Sequence, residues 1–346
     1  MTTSTLPLET ELLALPAHDR NSGIVVRHYG LDGKGGANFQ AIGREVGLSR
    51  ERVRQIVSEA DPRWYFRSGG LPALERVIGI VTTSLPAPAA SVETRLRAEG
   101  VTAQLFRLEG IIEIAALLQC KAPFRVTRLK GKRFVVGHEF PRFQDIVSTA
   151  RRSVRRHGMA LLTECLPQDR KARYGQRESA LLEEVLSAQK DFRWLDRQAG
   201  WFWLSDVRMN RVVNRIRKMF AVADSLEIAE IRAGLARMGD PPAPDAILLE
   251  FCRQMPELSV EGETVRARTE ISAGKVLNPT ERAIFRLLSE NNGCLSNAEL
   301  ICGTRALGMK RPSFYQCVTW SPIVSRYKRG YYRLIGSAHT GAVAAS

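Results

Sequence analysis

With 346 residues, 44% of them hydrophobic, the chain is too long for one small domain and carries enough apolar content for several cores. Its 51 Lys and Arg against 36 Asp and Glu leave a formal charge of +15, which favours a polyanionic partner through counterion release. No apolar run approaches the length needed to cross a bilayer, and no Cys-x-x-Cys pair occurs among Cys120, Cys165, Cys252, Cys294, Cys302 and Cys317, so membrane spans, a zinc site and a disulfide framework are not expected.

The first predicted elements are two short helices in the stretch Phe39 to Ile56. Phe39, Ile42 and Val46 fall three and four apart on the first helix, and Val53, Ile56, Val57 and Ala60 do so on the second, so both bury one shared seam. Gly47 supplies the turn between them. Ser49 is placed to cap the second helix, although Arg52 stands where a capping box would have Glu or Gln. Once the seam is buried, Arg50, Glu51, Arg54, Gln55 and Ser58 project from the opposite face. Arg pairs bidentately with guanine, Gln with adenine, and Glu accepts from cytosine, so the expected partner is double-stranded DNA read in the major groove. Asp61-Pro62 is expected to end the second helix.

Two separated motifs agree in order and spacing with one family. The segment from Arg20 through Tyr29-Gly30-Leu31-Asp32-Gly33, followed by Ser49-Arg-Glu-Arg-Val-Arg-Gln-Ile56, resembles region 4 of bacterial sigma factors. The resemblance implies a promoter-reading helix, with base or phosphate contacts from Arg50, Glu51, Arg54 and Gln55 and a neighbouring phosphate contact from Arg52. In the family this region closes the chain, whereas here it stands first, and no segment resembles the family's DNA-melting region. A DNA reader within a larger regulatory protein fits that order better than a self-sufficient sigma factor.

Further along, a unit of roughly sixty to seventy residues recurs four times. Each copy reads as helices followed by a β-hairpin, in which apolar and polar residues tend to alternate around a Gly. The hairpins are expected at 124–136, 192–204, 258–268 and 323–335. In the last copy Asn278-Pro-Thr-Glu281 starts one helix and Ser296-Asn-Ala-Glu299 a second with a capping box, while residues 311–318 form a third. Helix, helix, helix, hairpin resembles the winged-helix class. Pro86-Ala-Pro88 and Asp240-Pro-Pro-Ala-Pro244 read as short breaks, and the two ends, 1–5 and 338–346, as loose.

Charge separates the copies. Residues 141–220 carry 17 basic against 9 acidic side chains and residues 271–346 carry 10 against 3, but residues 221–270 carry 5 against 10. The acidic copy is expected to pack against a neighbour or partner, because it would repel phosphate. Within the second copy, Arg151, Arg152, Arg155, Arg156 and His157 follow an apolar helix face of Phe143, Ile146, Val147, Ala150 and Val154, with no acid nearby in sequence, and are read as phosphate contacts. Arg326, Lys328 and Arg329 mark the fourth hairpin's turn, where a wing would reach a nucleic-acid backbone. The alternation of Trp194, Trp201, Phe202 and Trp203 within one hairpin places some of them on a core face, a reading preferred over a base-stacking platform.

The five histidines are dispersed, and Gly33-Lys-Gly-Gly36 lacks the spacing of a phosphate-cradling loop, so no catalytic constellation and no cofactor is expected. The fold class is mainly α with short β-hairpins: a helix-turn-helix over 8–62, then winged-helix-like units over 72–137, 141–205, 208–269 (the acidic one) and 277–337. The function read from this is sequence-specific transcription regulation by a cytoplasmic, nucleoid-associated protein. Competing readings are an RNA polymerase-associated factor, a replication initiator or mobile-element protein, and the DNA-sensing subunit of a defence complex. The acidic unit 208–269 is the expected face for a homodimer or protein partner.

Overall fold

The computed structural model describes residues 6–13, 21–33, 36–59, 71–118, 120–166, 175–237 and 243–337. Sixteen α-helices and twelve short strands lie among the described residues, so the protein is mainly α with short β-hairpins. The expected helix stop at Asp61-Pro62, the break at 240–242, the loose ends 1–5 and 338–346, and the seam position Ala60 lie outside the described residues. The chain forms two compact units, Met1–Ile146 with Arg170–Ala188, and Val147–Asp169 with Gln189–Ser346. No described helix is long and apolar enough to cross a membrane.

The first unit opens with α1 (Leu8–Leu13), α2 (Ser22–Tyr29), α3 (Phe39–Val46) and α4 (Arg50–Glu59). After them come α5 (Pro72–Ser84), β1 (Ala87–Pro88), α6 (Ala89–Ala98), α7 (Leu108–Leu117), β2 (Phe124–Leu129) and β3 (Lys132–Gly137). Pro86-Ala-Pro88, read as a break, therefore leads into a strand, with Ala87 opposite Val135 and Pro88 opposite Phe134. The unit's main core joins Leu74, Val77, Phe106, Ile111, Phe124 and Val135 to Leu8 and Leu12 of α1 and to Leu31. Grouped by sequence with the helix-turn-helix, α1 instead packs in the core of 72–137. Its carboxylates fasten it there: Glu9 accepts from the N–H groups of Ala103 and Gln104 at 2.8 and 3.1 Å, and Glu11 from those of Ala73 and Leu74 at 3.0 Å each. The latter pair are orphan donors at the start of α5, so Glu11 caps that helix from a distance.

Helices α2 to α4 keep a separate small core of Ile24, Ile42, Val53, Ile56 and Val57. The loop after α2 docks on the main core: Gln104 Nε2 donates to Asp32 O, and a Cβ on Gly33, whose φ is +80°, would stand 2.9 Å from the Phe106 ring. Another knot holds β3 to the helices. Arg133 donates to Glu93 and Glu109, both at 2.6 Å, while Glu93, nearly buried, accepts the Leu108 N–H at 3.1 Å.

Beyond β3, α8 (Phe143–His157) crosses into the second unit and is followed by β4 (Ala160–Leu161) and a 3-10 turn (Leu162–Cys165). Next come α9 (Gln176–Ser187), which belongs to the first unit, and β5 (Phe192–Asp196) with β6 (Trp201–Leu204). Two more runs complete the chain. The first is α10 (Arg211–Phe220), β7 (Ser225–Glu227), α11 (Ile228–Ala236), α12 (Asp245–Arg253), β8 (Leu258–Glu261) and β9 (Thr264–Ala267). After the short α13 (Ala273–Val276), the last run is α14 (Pro279–Glu290), β10 (Cys294–Ser296), α15 (Asn297–Ala306), α16 (Arg311–Trp320), β11 (Val324–Lys328) and β12 (Tyr331–Leu334).

One pattern thus occurs four times: helix, short strand, two helical segments, hairpin. We call these stretches the first to fourth modules. Every sheet is antiparallel and has the same strand order, β1-β3-β2, β4-β6-β5, β7-β9-β8 and β10-β12-β11. The first hairpin turns through Lys130 and Gly131, both at positive φ (47° and 83°), a geometry that matches the twist of the flanking strands. In the second unit one core runs from Met159, Leu195 and Trp203 through Ile216, Phe251 and Val265 to Ile335, so the second module's hairpin and the third module share it. The fourth module has its own core of Ile284, Leu288, Leu300, Phe314, Val318 and Ile323.

Candidate nucleic-acid interface

The helix pair α3–α4 is set up by caps at both ends of its turn. Asn38 Oδ1 accepts the Ala41 N–H at 2.8 Å and starts α3, and Ser49 Oγ accepts the Arg52 N–H at 3.2 Å and starts α4. Between them Gly47 takes the left-handed conformation (φ 69°), and Leu48 N–H donates to Gly43 O at 2.9 Å. Gly43 is required by proximity, because a Cβ there would lie 2.5 Å from Leu48 O. Helix α2 braces the pair: Arg27 forks onto Glu45 at 3.2 and 3.3 Å, and the His28 ring stacks on Phe39 at 4.6 Å with Nδ1 3.0 Å from Ala37 O.

Of the expected seam, Ile42, Val53, Ile56 and Val57 are buried, and Phe39 is half-buried. Val46 is a correction. It is 48% exposed, because α3 ends there and the chain turns away at Gly47; Leu48 beside it is 37% exposed. Sequence periodicity counts Val46 as a seam position but does not register that the helix stops.

On α4 the burial of Val53, Ile56 and Val57 leaves Arg50, Glu51, Arg52, Arg54, Gln55 and Ser58 exposed, as the amphipathic pattern requires. These side chains are organised among themselves. Arg54 forks onto Glu51, Nη2 to Oε1 at 2.6 Å and Nε to Oε2 at 3.0 Å. That hydrogen-bonded pairing raises the Arg54 pKa and lowers that of Glu51, both at fully exposed positions. Arg52 Nη1 donates to Gln55 Oε1 at 3.3 Å, and Ser58 Oγ donates to Gln55 O at 2.8 Å. The hydroxyl of Ser58 is therefore occupied by its own backbone.

The basic run on α8 separates into two parts. Arg152, Arg155 and Arg156 are exposed, whereas Arg151 donates to Asp206 at 2.7 Å and is half-buried. That pair corrects the reading of a run without an acid: Asp206 arrives from beyond β6, 55 residues away in sequence. At the fourth hairpin Arg326, Lys328 and Arg329 are all exposed. The register slips between Arg326 and Lys328, so Tyr327 is an extra residue that the bulge turns outward. Reading the sequence does not single out Tyr327, Tyr315 or Tyr331, although an aromatic beside a basic residue at a hairpin turn is a signal for such a surface.

Of the second module's aromatics, Phe202 and Trp203 are buried and Trp194 and Trp201 half-buried, which agrees with some of them facing the core; Trp203 packs edge-on to Phe251 at 4.8 Å and donates through Nε1 to Gln254 Oε1 at 2.8 Å. Cys165, Cys252 and Cys317 are buried, with burial pushing Cys252 and Cys317 up to about 12, while Cys302 is exposed. No group of three or more potential metal ligands is found among the described residues. No protein-family model matches the sequence, and no curated protein matches it.

Proposed function

We propose that the protein is a sequence-specific reader of double-stranded DNA that acts in transcription regulation. Its α3–α4 pair works as a helix-turn-helix of the sigma region 4 type, and its four modules are winged-helix domains that support it. One observation carries the reading. Helix α4 buries a clean apolar stripe and exposes Arg50, Glu51, Arg52, Arg54 and Gln55 together at its amino-terminal half, where a recognition helix meets base edges. The Glu51–Arg54 and Arg52–Gln55 pairs engage these side chains with one another, so a base edge must replace those bonds, which favours sites of matching geometry. Arg152, Arg155 and Arg156 on α8 supply sequence-independent phosphate contacts. The role is binding, with no chemistry assigned to any side chain.

The test is selection of bound duplexes from a random pool at physiological salt, with the full chain and the Arg54→Ala/Gln55→Ala variant side by side. An enriched motif that loses one block in the variant is the expected outcome, because each bidentate base contact contributes about 1–3 kcal/mol of discrimination. An identical motif from both proteins would remove α4 as the reader. The exposed pair Val46 and Leu48 supports a second use of the same domain, contact with a protein. The sigma resemblance suggests RNA polymerase, and pull-down of the enzyme with a Val46→Asp control checks it.

A further inference from the structure

Among the described residues, the exposed aromatic side chains are Tyr315, Trp320, Tyr327 and Tyr331, and all four lie in the fourth module. Three of them are paired with cations: Arg311 lies 5.6 Å from the centre of the Tyr315 ring, Lys328 4.4 Å from that of Tyr331, and Arg333 5.3 Å from that of Tyr327. None of the described residues of α4 is an exposed aromatic, so the two basic surfaces differ in kind.

These groups are tied into one neighbourhood through Asn297. Its backbone N–H donates to Gly330 O at the hairpin turn at 2.7 Å, and its side chain lies beside the Tyr315 hydroxyl, which receives Arg311 Nη2 at 3.4 Å and whose pKa is lowered first by Arg311 and then by Asn297. The start of α16 and the turn between β11 and β12 therefore lie side by side. On the opposite side of the hairpin Tyr332 faces Phe314 in the core, which leaves Tyr327 and Tyr331 outward.

The module's acids do not neutralise this face. Glu281 is buried and bound by Lys218 and Ser321, Glu290 pairs with Arg286, and Glu299 closes the cap at Ser296. Arg305, Lys310, Arg311, Arg326, Lys328 and Arg329 remain exposed. The third helices of the other modules are engaged: α7 packs on α2, α9 bonds the first module through Arg177 to Thr83 O and Glu184 to Lys132, and α12 packs on β5. Helix α16 is likewise held at its last residue, by Arg215 Nη2 to Trp320 O at 3.5 Å, but it presents Arg311, Tyr315, Gln316, Thr319 and Trp320 at the surface.

We propose that this face of the fourth module binds a single-stranded nucleic acid, with Tyr315, Tyr327 and Tyr331 stacking on unpaired bases and Arg311, Arg326, Lys328 and Arg329 following the phosphates. Duplex DNA hides its base faces within the helix, so exposed aromatic rings contribute little to it, whereas every unpaired base offers a face to stack on. Cations lying over the same rings place positive charge where the backbone of a stacked strand runs. The inference does not depend on how α4 is read.

The test is fluorescence anisotropy of the full chain with labelled oligo-dT, which forms no duplex, with the same oligo-dT annealed to oligo-dA as the second arm. Tyr315→Ala and Tyr331→Ala should each weaken oligo-dT binding on the order of ten-fold. Tyr315→Phe and Tyr331→Phe keep the stacking surface and should bind within about two-fold of the original, since base–aromatic stacking needs the ring and not the hydroxyl. Arg54→Ala/Gln55→Ala should leave oligo-dT binding unchanged. Equal losses in the Phe and Ala variants, unchanged oligo-dT binding in the Ala variants, or a loss in the Ala variants as large for the annealed duplex as for oligo-dT would each overturn the proposal.

Discussion

In the proposed reading of DNA by α4, the fork between Arg54 and Glu51 governs what the helix offers to a base edge. Glu51 occupies the guanidinium with three hydrogen bonds, so a base must offer a better geometry than the carboxylate before Arg54 turns to it. Glu51 is also an acid on a face that approaches phosphates, which penalises poorly fitted sites. Glu51→Ala is accordingly expected to raise affinity for random duplex several-fold and to narrow the gap between the selected motif and random DNA. Competition anisotropy measures both, and a wider gap would contradict this role. At this scale the sequence is legible wherever partners are close in the chain. Ser49 can be identified as a cap because an N-cap acts on the N–H three residues ahead. The acid beside Arg151 is missed because Asp206 is brought in by the sheet.

Among the elements, α3 and α4 are legible from apolar spacing, and the four hairpins from alternation around Gly, because both signals depend on the period of the local backbone. The first strand of each sheet is not. Such strands are two or three residues long, too short to show a period, and exist because the returning strand of the hairpin offers them an edge. Gly43 escapes notice for a related reason: its requirement comes from Leu48 O across the turn, and nothing in a helical pattern marks it. Gly43→Ala should push the turn apart, at about 1–3 kcal/mol for an added methyl in a close-packed site. Hydrogen exchange should then show faster exchange of the α4 amides with those of α5 and α7 unchanged, since the two cores are separate. Equal acceleration in both would show that the cores unfold as one.

For the whole molecule the +15 charge is distributed by what neutralises it. The acidic third module uses several of its carboxylates internally, Glu257 with Arg217, Asp245 with Arg232 and Glu250 with Arg253, so much of its acidity is spent within the fold. The α8 and fourth-module cations are left exposed. Arg155→Ala/Arg156→Ala should weaken binding of selected and random duplexes by the same factor, and should reduce the slope of log affinity against log salt by about 0.9 for each phosphate that is no longer neutralised. A weakening confined to the selected sequence would instead make these arginines base readers. Net charge by segment is legible in the sequence; which acids face which cations depends on spatial pairings that composition does not encode.

The attachment of α1 has a consequence for the order in which the protein is made. A helix of six residues does not persist by itself in water, and this one is held by Leu8 and Leu12 in a core whose other members, apart from Leu31, begin at Leu71. Its Glu9 reaches a backbone N–H 94 residues further on, and its Glu11 one that is 62 residues further on. During synthesis the earliest described segment must therefore wait until residues 71–104 have left the ribosome and begun to pack, while α2 to α4, whose own core of Ile24, Ile42, Val53, Ile56 and Val57 is local, can assemble before them. Helices α2 to α4 would then be complete before α1 is fastened. A nascent chain from which α4 but not residues 71–104 has emerged should carry α2 to α4 folded and α1 still unfastened.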